Sequence, residues 1–196
     1  MKTQENSRLL VYDTDGANPY GRELAALLSH VFQVEVLASV QAEWSPPHVL
    51  TRRILPSNSQ SRMILQIIRQ LHGLAVAVRA AVAGTTIVLV MTRDWYDQLA
   101  FALMAVLGAR VVVIAHDPTP KQALPPIGAF SRRLLWRRAS ILVAHSETLA
   151  AEVAVVGSRS VVVVPHLPFL EYAAWAKAAV PTSESAHRCR LLILGR

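Results

Sequence analysis

The sequence predicts an α/β protein with a doubly wound, mostly parallel sheet and helices on both faces. A helical stretch, a glycine, a run of β-branched residues and a polar end follow one another three times, at 81–94, 105–118 and 153–166. The Val and Ile runs are continuous rather than alternating, which is typical of strands buried on both faces of a parallel sheet. Alternating strands and helices with short connections favour right-handed crossovers, and so predict a Rossmann-like sheet.

The individual elements follow from the same pattern in chain order. Besides the strands of the three repeated units, strands are predicted at 9–12, 34–38 and 141–144. Helices are predicted at 21–31, 61–83, 95–107 and 127–138. A further helix should begin near Ser146, a residue type favoured at helix N-caps. Helices often end at a glycine in the left-handed conformation, and Gly84, Gly108 and Gly157 stand where three of the predicted helices should end. The Pro- and Ser-containing section 41–60 predicts an irregular connection, with a short strand near Ile54 and Leu55.

The length of 196 residues suits one domain with a well-buried core and the first element of a second. We therefore expect a Rossmann-like domain over 1–170. A helix followed by a linker is expected over 171–189. The final residues, 190–196, form the apolar run "RLLILGR" and predict the first strand of a second domain that the sequence does not contain.

The formal net charge of +7 indicates contact with something anionic, such as phosphorylated substrates or a lipid surface. An Arg-rich genome composition would explain the charge equally well. Nucleic acid is not expected as a partner, because the Arg residues are dispersed and no binding motif is recognisable.

Three features predict a cytoplasmic protein. The amino-terminal residues lack the apolar run of a secretory signal, and the single Cys189 excludes an internal disulfide and a cysteine-rich metal site. Two apolar stretches, 74–91 and 99–115, each contain an Arg and a Gly and are interpreted as a helix that runs into a buried strand. Peripheral contact with the inner face of the membrane is a further hypothesis.

Polar side chains follow most of the predicted strands. These residues are Asp13, Asp15, Gly16, Arg93, Asp94, His116, Asp117, His145, Ser146 and His166. Open parallel sheets bind ligands beyond the carboxyl ends of their strands, so this edge is predicted to hold a functional site. Polar residues also end strands and cap helices for structural reasons, and that explanation is sufficient for Ser146.

The first of these loops, "YDTDGANPYGREL", has two interpretations. A strand followed by Asp-x-Asp-Gly resembles the opening motif of haloacid-dehalogenase-type phosphatases, which would make Asp13 the nucleophile and Asp15 the acid or base. That chemistry also needs a later acidic pair to hold Mg²⁺. No Asp-Asp or Gly-Asp-x-x-x-Asp motif follows a later strand, although Lys121 could stabilise a phosphorylated aspartate.

The second interpretation covers more of the chain. The first strand, its Gly-containing loop and the helix "GRELAALLSHVF" resemble the start of the N-terminal domain of family-4 glycosyltransferases with the GT-B fold. Later segments resemble the same family in order: "TTIVLVMTRDWYDQLAFALMAVLGARVVVIAHDPTP", "RRASILVAHSETLAAEV", "SVVVVPHLPF" and "RLLILGR". The last resembles the strand that opens the donor-binding domain of the family.

This resemblance implies roles for a few residues. His116 matches a catalytic histidine that faces the donor sugar and the acceptor, and Asp15 and Gly16 match a loop that approaches the donor phosphates or the acceptor. Arg196 matches an arginine that binds the donor diphosphate. The other predicted substrate-binding residues are Asp94, Asp117 and His166.

The function implied is transfer of a hexose from a nucleotide sugar to a polysaccharide or lipid-linked acceptor. The nucleotide sugar is a substrate, and no separate cofactor or metal is expected. The chain would supply the acceptor side, and a C-terminal domain or a partner chain would supply the donor side, so the chain alone is expected to be inactive. The alternatives are the phosphatase described above and a non-catalytic Rossmann-like partner subunit.

The basic helix "IGAFSRRLLWRRAS" supports the membrane hypothesis. Cationic and apolar side chains alternate along it, as expected for docking on an anionic membrane. The residues predicted to make this contact are Arg132, Arg133, Trp136 and Arg137. A helix that packs on the sheet and has a basic solvated face explains the same pattern.

Overall fold

The computed structural model describes residues 7–15, 18–56, 63–92, 95–115, 125–155, 160–166 and 168–179. Within these residues seven strands form a single sheet. They are β1 (Arg8–Asp13), β2 (Gln33–Ser39), β3 (Leu50–Leu55), β4 (Thr86–Met91), β5 (Val111–Ala115), β6 (Ile141–Ala144) and β7 (Val161–Val163). Their order is β3-β2-β1-β4-β5-β6-β7, and every neighbouring pair is parallel. The predicted parallel sheet is therefore confirmed.

Six helices connect or follow the described strands. They are α1 (Tyr20–Leu28), α2 (Met63–Val82), α3 (Trp95–Val106), α4 (Pro126–Arg138), α5 (Glu147–Ala154) and α6 (Leu170–Ala179). Helices α2 to α5 pack on one face of the sheet, and α1 and α6 lie on the other. Helices on both faces are what the sequence predicts, because strands with continuous apolar runs must be covered twice.

The helix ends agree with the predicted caps. Gly84 and Gly108 have φ angles of 78° and 95°, the left-handed region that favours glycine after a helix, whereas Gly157 lies outside the described residues. The Ser146 side chain accepts a hydrogen bond from the Leu149 backbone N–H at 3.2 Å, so Ser146 is the N-cap of α5. The strand expected near Ile54 and Leu55 is present as β3, six residues long.

The chain order places a switch point between β1 and β4. From β1 the chain moves outward through β2 and β3, then crosses back to form β4 on the other side of β1. Successive connections diverge from this point, which leaves a crevice at the carboxyl ends of the two central strands. Parallel α/β proteins bind ligands in such crevices.

A buried polar network joins β1 to helices α2 and α3 on one face of the sheet. The Gln70 side chain of α2 donates from Nε2 to the Tyr12 hydroxyl at 2.8 Å and also contacts Oδ1 of Asp97, at the start of α3. Burial is the main cause of the raised pKa of Tyr12, so its hydroxyl stays protonated. The network fixes α2 and α3 against β1.

The two apolar stretches at 74–91 and 99–115 are each a helix followed by a strand, as predicted: α2 with β4 and α3 with β5. Among the described residues, no helix combines the length and the apolar character needed to cross a membrane. The predicted linker and final strand, 180–196, lie outside the described residues.

Candidate functional site

The loop between β1 and α1 is organised by a series of side-chain to backbone hydrogen bonds. Asp13 Oδ1 accepts from the Asp15 N–H at 2.9 Å, Asp15 Oδ1 accepts from the Asn18 N–H at 3.3 Å, and Asn18 Oδ1 accepts from the Tyr20 N–H at 2.9 Å. Short Asp and Asn side chains are suited to such turns. The loop therefore has a defined shape on both sides of Gly16 and Ala17, which lie outside the described residues.

Arg22, in the first turn of α1, binds the backbone of this loop from the interior of the protein. Its side chain is buried, its Nη2 donates to the Asn18 carbonyl oxygen at 2.8 Å, and its Nη1 donates to the Asp15 carbonyl oxygen at 3.4 Å. Nη1 also lies 3.7 Å from Asp13 Oδ2, and the guanidinium lies 5.8 Å from the centre of the Trp44 ring. Burial lowers the pKa of Arg22, and the nearby carboxylates oppose that shift.

Asp13 is a structural residue of this loop. Its side chain is only 1% exposed, and burial raises its pKa to about 7 although the charge of Arg22 acts in the opposite direction. The backbone of Gly21 packs so closely that a Cβ there would lie 2.9 Å from Asp13 Cγ. A phosphoryl-accepting carboxylate must be ionised and must reach phosphorus in line. The burial of Asp13 argues against the phosphatase interpretation.

Four rings meet at the carboxyl edge and form what we call the edge cluster: Tyr20, His145, His166 and Phe169. The Tyr20 ring centre lies 5.2 Å from that of His145 and 5.0 Å from that of His166, and the two histidine rings are 5.1 Å apart. Phe169 packs edge-on against His166 at 5.3 Å. The cluster joins the start of α1 to the ends of β6 and β7.

The protonation pattern of His145 follows from its partner. Its Nδ1 lies 2.9 Å from the Val164 carbonyl oxygen, which can only accept a hydrogen bond. Nδ1 therefore carries the proton, and in neutral His145 the lone pair is on Nε2. His166 is exposed. The Nε2 atom of His145 and the ring of Tyr20 are buried, so His166 is the imidazole of the edge cluster that can bind the hydroxyl groups of a ligand.

Of the predicted substrate-binding residues, the structure describes Asp15 and His166. Both lie at the carboxyl edge, as expected from their positions after β1 and β7. Strands β4, β5 and β6 lie between β1 and β7 in the sheet. The other predicted residues follow these strands or end the chain and lie outside the described residues: Gly16, Asp94, His116, Asp117 and Arg196.

The predicted membrane contact on α4 is partly corrected. Trp136 is only 6% exposed and belongs to the core between α4 and the sheet, so it is not available at the surface. Arg132 is half-buried and its guanidinium lies 5.1 Å from the centre of the Trp136 ring, and burial lowers its pKa. Arg133 and Arg137 are exposed. Helical spacing places Trp136 on the face that covers the sheet.

Sequence patterns did not identify several residues that shape the site. Tyr20, Arg22 and Glu23 are all buried in the first turn of α1. Glu23 accepts hydrogen bonds from the backbone N–H groups of Glu171 at 2.9 Å and Tyr172 at 3.1 Å, so it caps the start of α6. The one available signal was the density of Asn, Pro and Gly in "GANPYG", which marks a constrained loop.

Comparisons with known proteins show similarity in structure only. A search with protein-family models finds no match, and a search of curated proteins finds none either. The solved structure of HepE from Anabaena in complex with UDP matches with a TM-score of 0.52 and 17% identity, over 81% of this chain and 44% of that chain. A UDP-glucosyltransferase from Polygonum tinctorium matches with a TM-score of 0.50 and 14% identity, over 93% of this chain and 56% of that chain.

The chain spans about half the length of these structures. They are GT-B proteins, and the chain shares their Rossmann-like α/β fold over the matched part. The predicted fold class is thereby confirmed. The comparisons support the GT-B fold but do not identify family 4 within it, so membership of that family stays a prediction.

Proposed function

We propose that the chain is the acceptor-side half of a glycosyltransferase that moves a hexose from a nucleotide sugar to a polysaccharide or lipid-linked acceptor. The observation that carries the proposal is the edge cluster, which joins the start of α1 to the ends of β6 and β7 at the carboxyl edge of the sheet. The similarity in fold to UDP-bound and UDP-sugar-using proteins supports it.

The groups at this edge match the chemistry of a sugar acceptor. The Asp15 carboxylate and the exposed His166 imidazole can bind hydroxyl groups, and the half-buried ring of Phe169 offers an apolar face to the C–H groups of a pyranose. Tyr20 and His145 would support His166 from the interior. His116, which directly follows β5, would be the catalytic residue facing both sugars. Asp94 and Asp117 would complete the acceptor site from the ends of β4 and β5.

The donor side would come from a second domain or a partner chain. Arg196 would begin to bind the donor diphosphate there, where a guanidinium stabilises the charge of the leaving group. Closure of the two halves would exclude water from the reacting centres. Residues 1–196 alone would then bind acceptor weakly and show no turnover.

A transfer assay on the complete gene product, with UDP- and GDP-hexoses and a soluble sugar acceptor, tests the proposal. We expect His166→Gln to lower kcat/KM by about tenfold or more, the effect of losing a hydrogen bond to a charged or polarised group. His30→Gln is the matched control, because His30 is exposed and lies beyond the other end of α1.

Three results would contradict the proposal. The first is sugar transfer by residues 1–196 alone. The second is release of phosphate from simple esters that is lost in Asp13→Asn, which would establish the phosphatase instead. The third is absence of transfer by the complete gene product with every donor, which would favour a non-catalytic partner subunit.

A further inference from the structure

Helix α2 is apolar on its outer side as well as on the side that faces the sheet. The sheet-facing side has Gln70, Gly73 and Ala77 buried, with Leu74, Val76, Ala80 and Ala81 partly buried against the core. An outward stripe at helical spacing is formed by Ile64, Ile68, Leu71, Ala75, Val78 and Val82. Ile64 is 70% exposed, Ile68 56% and Leu71 61%. Single exposed apolar residues need no explanation, but a continuous stripe along a 20-residue helix indicates a partner.

The neighbouring helices extend this apolar surface. Helices α3 and α4 lie on the same face of the sheet as α2 and pack against each other. Their large exposed apolar side chains are Trp95, Tyr96, Leu103, Val106, Ile127 and Phe130. We call the solvent-facing side of α2, α3 and α4 the outer surface.

The charges of the outer surface have one sign. Its exposed or half-buried cations are Arg69, Arg79, Arg132, Arg133, Arg137 and Arg138. Within these three helices the single carboxylate is Asp97, which is fully buried. Among the described residues of the helices on this face, the other acidic side chains are the exposed Glu147 and Glu152 of α5. Helices α2, α3 and α4 therefore combine apolar and cationic side chains and have no exposed anion.

We propose that the outer surface docks on an anionic lipid bilayer, with α2 lying in the plane of the interface. Aliphatic side chains would insert among the acyl chains, and the arginines would contact the phosphate headgroups. At 1.5 Å per residue, α2 presents a stripe of about 30 Å to that plane. The sequence points to α4 for this contact; the structure assigns most of the insertion to α2, because Trp136 is buried.

The composition of the outer surface argues against two other partners, a second copy of the chain and a nucleic acid. A second copy of the chain would place arginines against arginines across a symmetric interface without a carboxylate to pair them. Nucleic acid would satisfy the arginines but not the exposed Ile, Leu and Val side chains, since single strands bind through aromatic stacking. An anionic bilayer matches both components.

Vesicle co-sedimentation of the 196-residue chain tests the proposal without any enzyme assay, so its outcome is independent of the proposed function. We expect binding to phosphatidylcholine vesicles that contain phosphatidylglycerol, weaker binding at high salt, and little binding to phosphatidylcholine alone. The double variant Ile68→Glu, Leu71→Glu should weaken binding about tenfold or more, since each position introduces a charge at the lipid surface.

The control is Val31→Glu, Val155→Glu, which adds the same charge at two exposed apolar positions outside the outer surface. It should bind vesicles more tightly than the double variant on α2. Circular dichroism melting checks that both variants fold. The double variant Arg133→Gln, Arg137→Gln tests the charged part of the surface separately: it leaves the apolar stripe intact and should also weaken binding to the anionic vesicles.

Three results would overturn the proposal. The first is no binding of the unmodified chain to the anionic vesicles, and the second is equal binding by the α2 variant and its control. The third is self-association, seen by sedimentation velocity, that the α2 variant abolishes while vesicle binding is absent; the stripe would then be a contact between copies.

Discussion

At the scale of single residues, the loop after β1 depends on a buried charged pair. Asp13 and Arg22 lie 3.7 Å apart, and both side chains are almost fully buried. Removing two charges from water is costly, and such pairs are often no more stable than apolar replacements. Here Arg22 also binds the carbonyl oxygens of Asp15 and Asn18, so its role is to hold the loop in one shape.

The raised pKa of Asp13 makes the stability of the protein depend on pH. The native carboxyl has a pKa of about 7, against 3.8 for an ordinary aspartate, so the folded state holds its proton more tightly than the unfolded chain. The contribution of Asp13 to the free energy of unfolding is then greatest below pH 4 and is lost as pH rises to about 7.

We expect Asp13→Asn to remove this contribution. The amide keeps the shape of the side chain and does not titrate, so the decline in the free energy of unfolding between about pH 4 and pH 7 should become shallower. Urea unfolding at a series of pH values measures the slope. Glu152→Gln is the control, because Glu152 is exposed and should leave the slope unchanged; identical slopes for Asp13→Asn and the unmodified chain would refute the prediction.

At the scale of elements, local patterns predicted the sheet but not the contacts between distant segments. Continuous Val and Ile runs determined β4, β5 and β6, and Gly84 and Gly108 marked two helix ends, because period and backbone conformation are local properties. Trp136 could not be assigned to the core in this way. Its burial depends on how α4 is rotated against the sheet, and a mixed basic and apolar helix fits two rotations.

The contact made by Glu23 is a second example of an interaction between distant segments that local sequence patterns do not predict. The Glu23 carboxylate is buried and caps α6, a helix near the opposite end of the described chain. An acidic residue in the first turn of α1 predicts only a favourable interaction with the dipole of its own helix. The candidate site depends on this contact, because α6 follows His166 and Phe169 of the edge cluster.

We expect Glu23→Gln to loosen α6. One amide oxygen can replace one carboxylate oxygen, but the NH₂ group would face the second backbone N–H, so a cost of about 1–3 kcal/mol is expected. Hydrogen exchange of the α6 amides should accelerate, with smaller changes in the sheet. Glu171→Gln is the matched control, because Glu171 is an exposed acid in the first turn of α6; equal acceleration in both variants would show that Glu23 does not act as the cap.

At the scale of the whole molecule, the helices of the outer surface begin at the edge of the sheet that holds the candidate site. Each crossover leaves a parallel strand at its carboxyl end, so the first turns of α2 and α4, with Ile64 and Ile127, are the parts of these helices closest to that edge. A bilayer against the outer surface would bring lipid headgroups to this edge of the sheet.

This arrangement predicts that membrane docking assists one class of acceptor. If both proposals hold, Ile68→Glu, Leu71→Glu in the complete gene product should raise KM for a lipid-linked acceptor in anionic vesicles by about tenfold, because the enzyme no longer concentrates at the surface that holds its substrate. The KM for a water-soluble acceptor sugar and the kcat for both should not change, since the substituted side chains face away from the edge cluster. Parallel kinetics on the two acceptors, with Val31→Glu, Val155→Glu as control, measure the difference.

Two outcomes would contradict this prediction. A loss of kcat with the soluble acceptor would mean that α2 supports the site itself. An unchanged KM for the lipid-linked acceptor would mean that docking of the outer surface does not help the enzyme to reach its substrate.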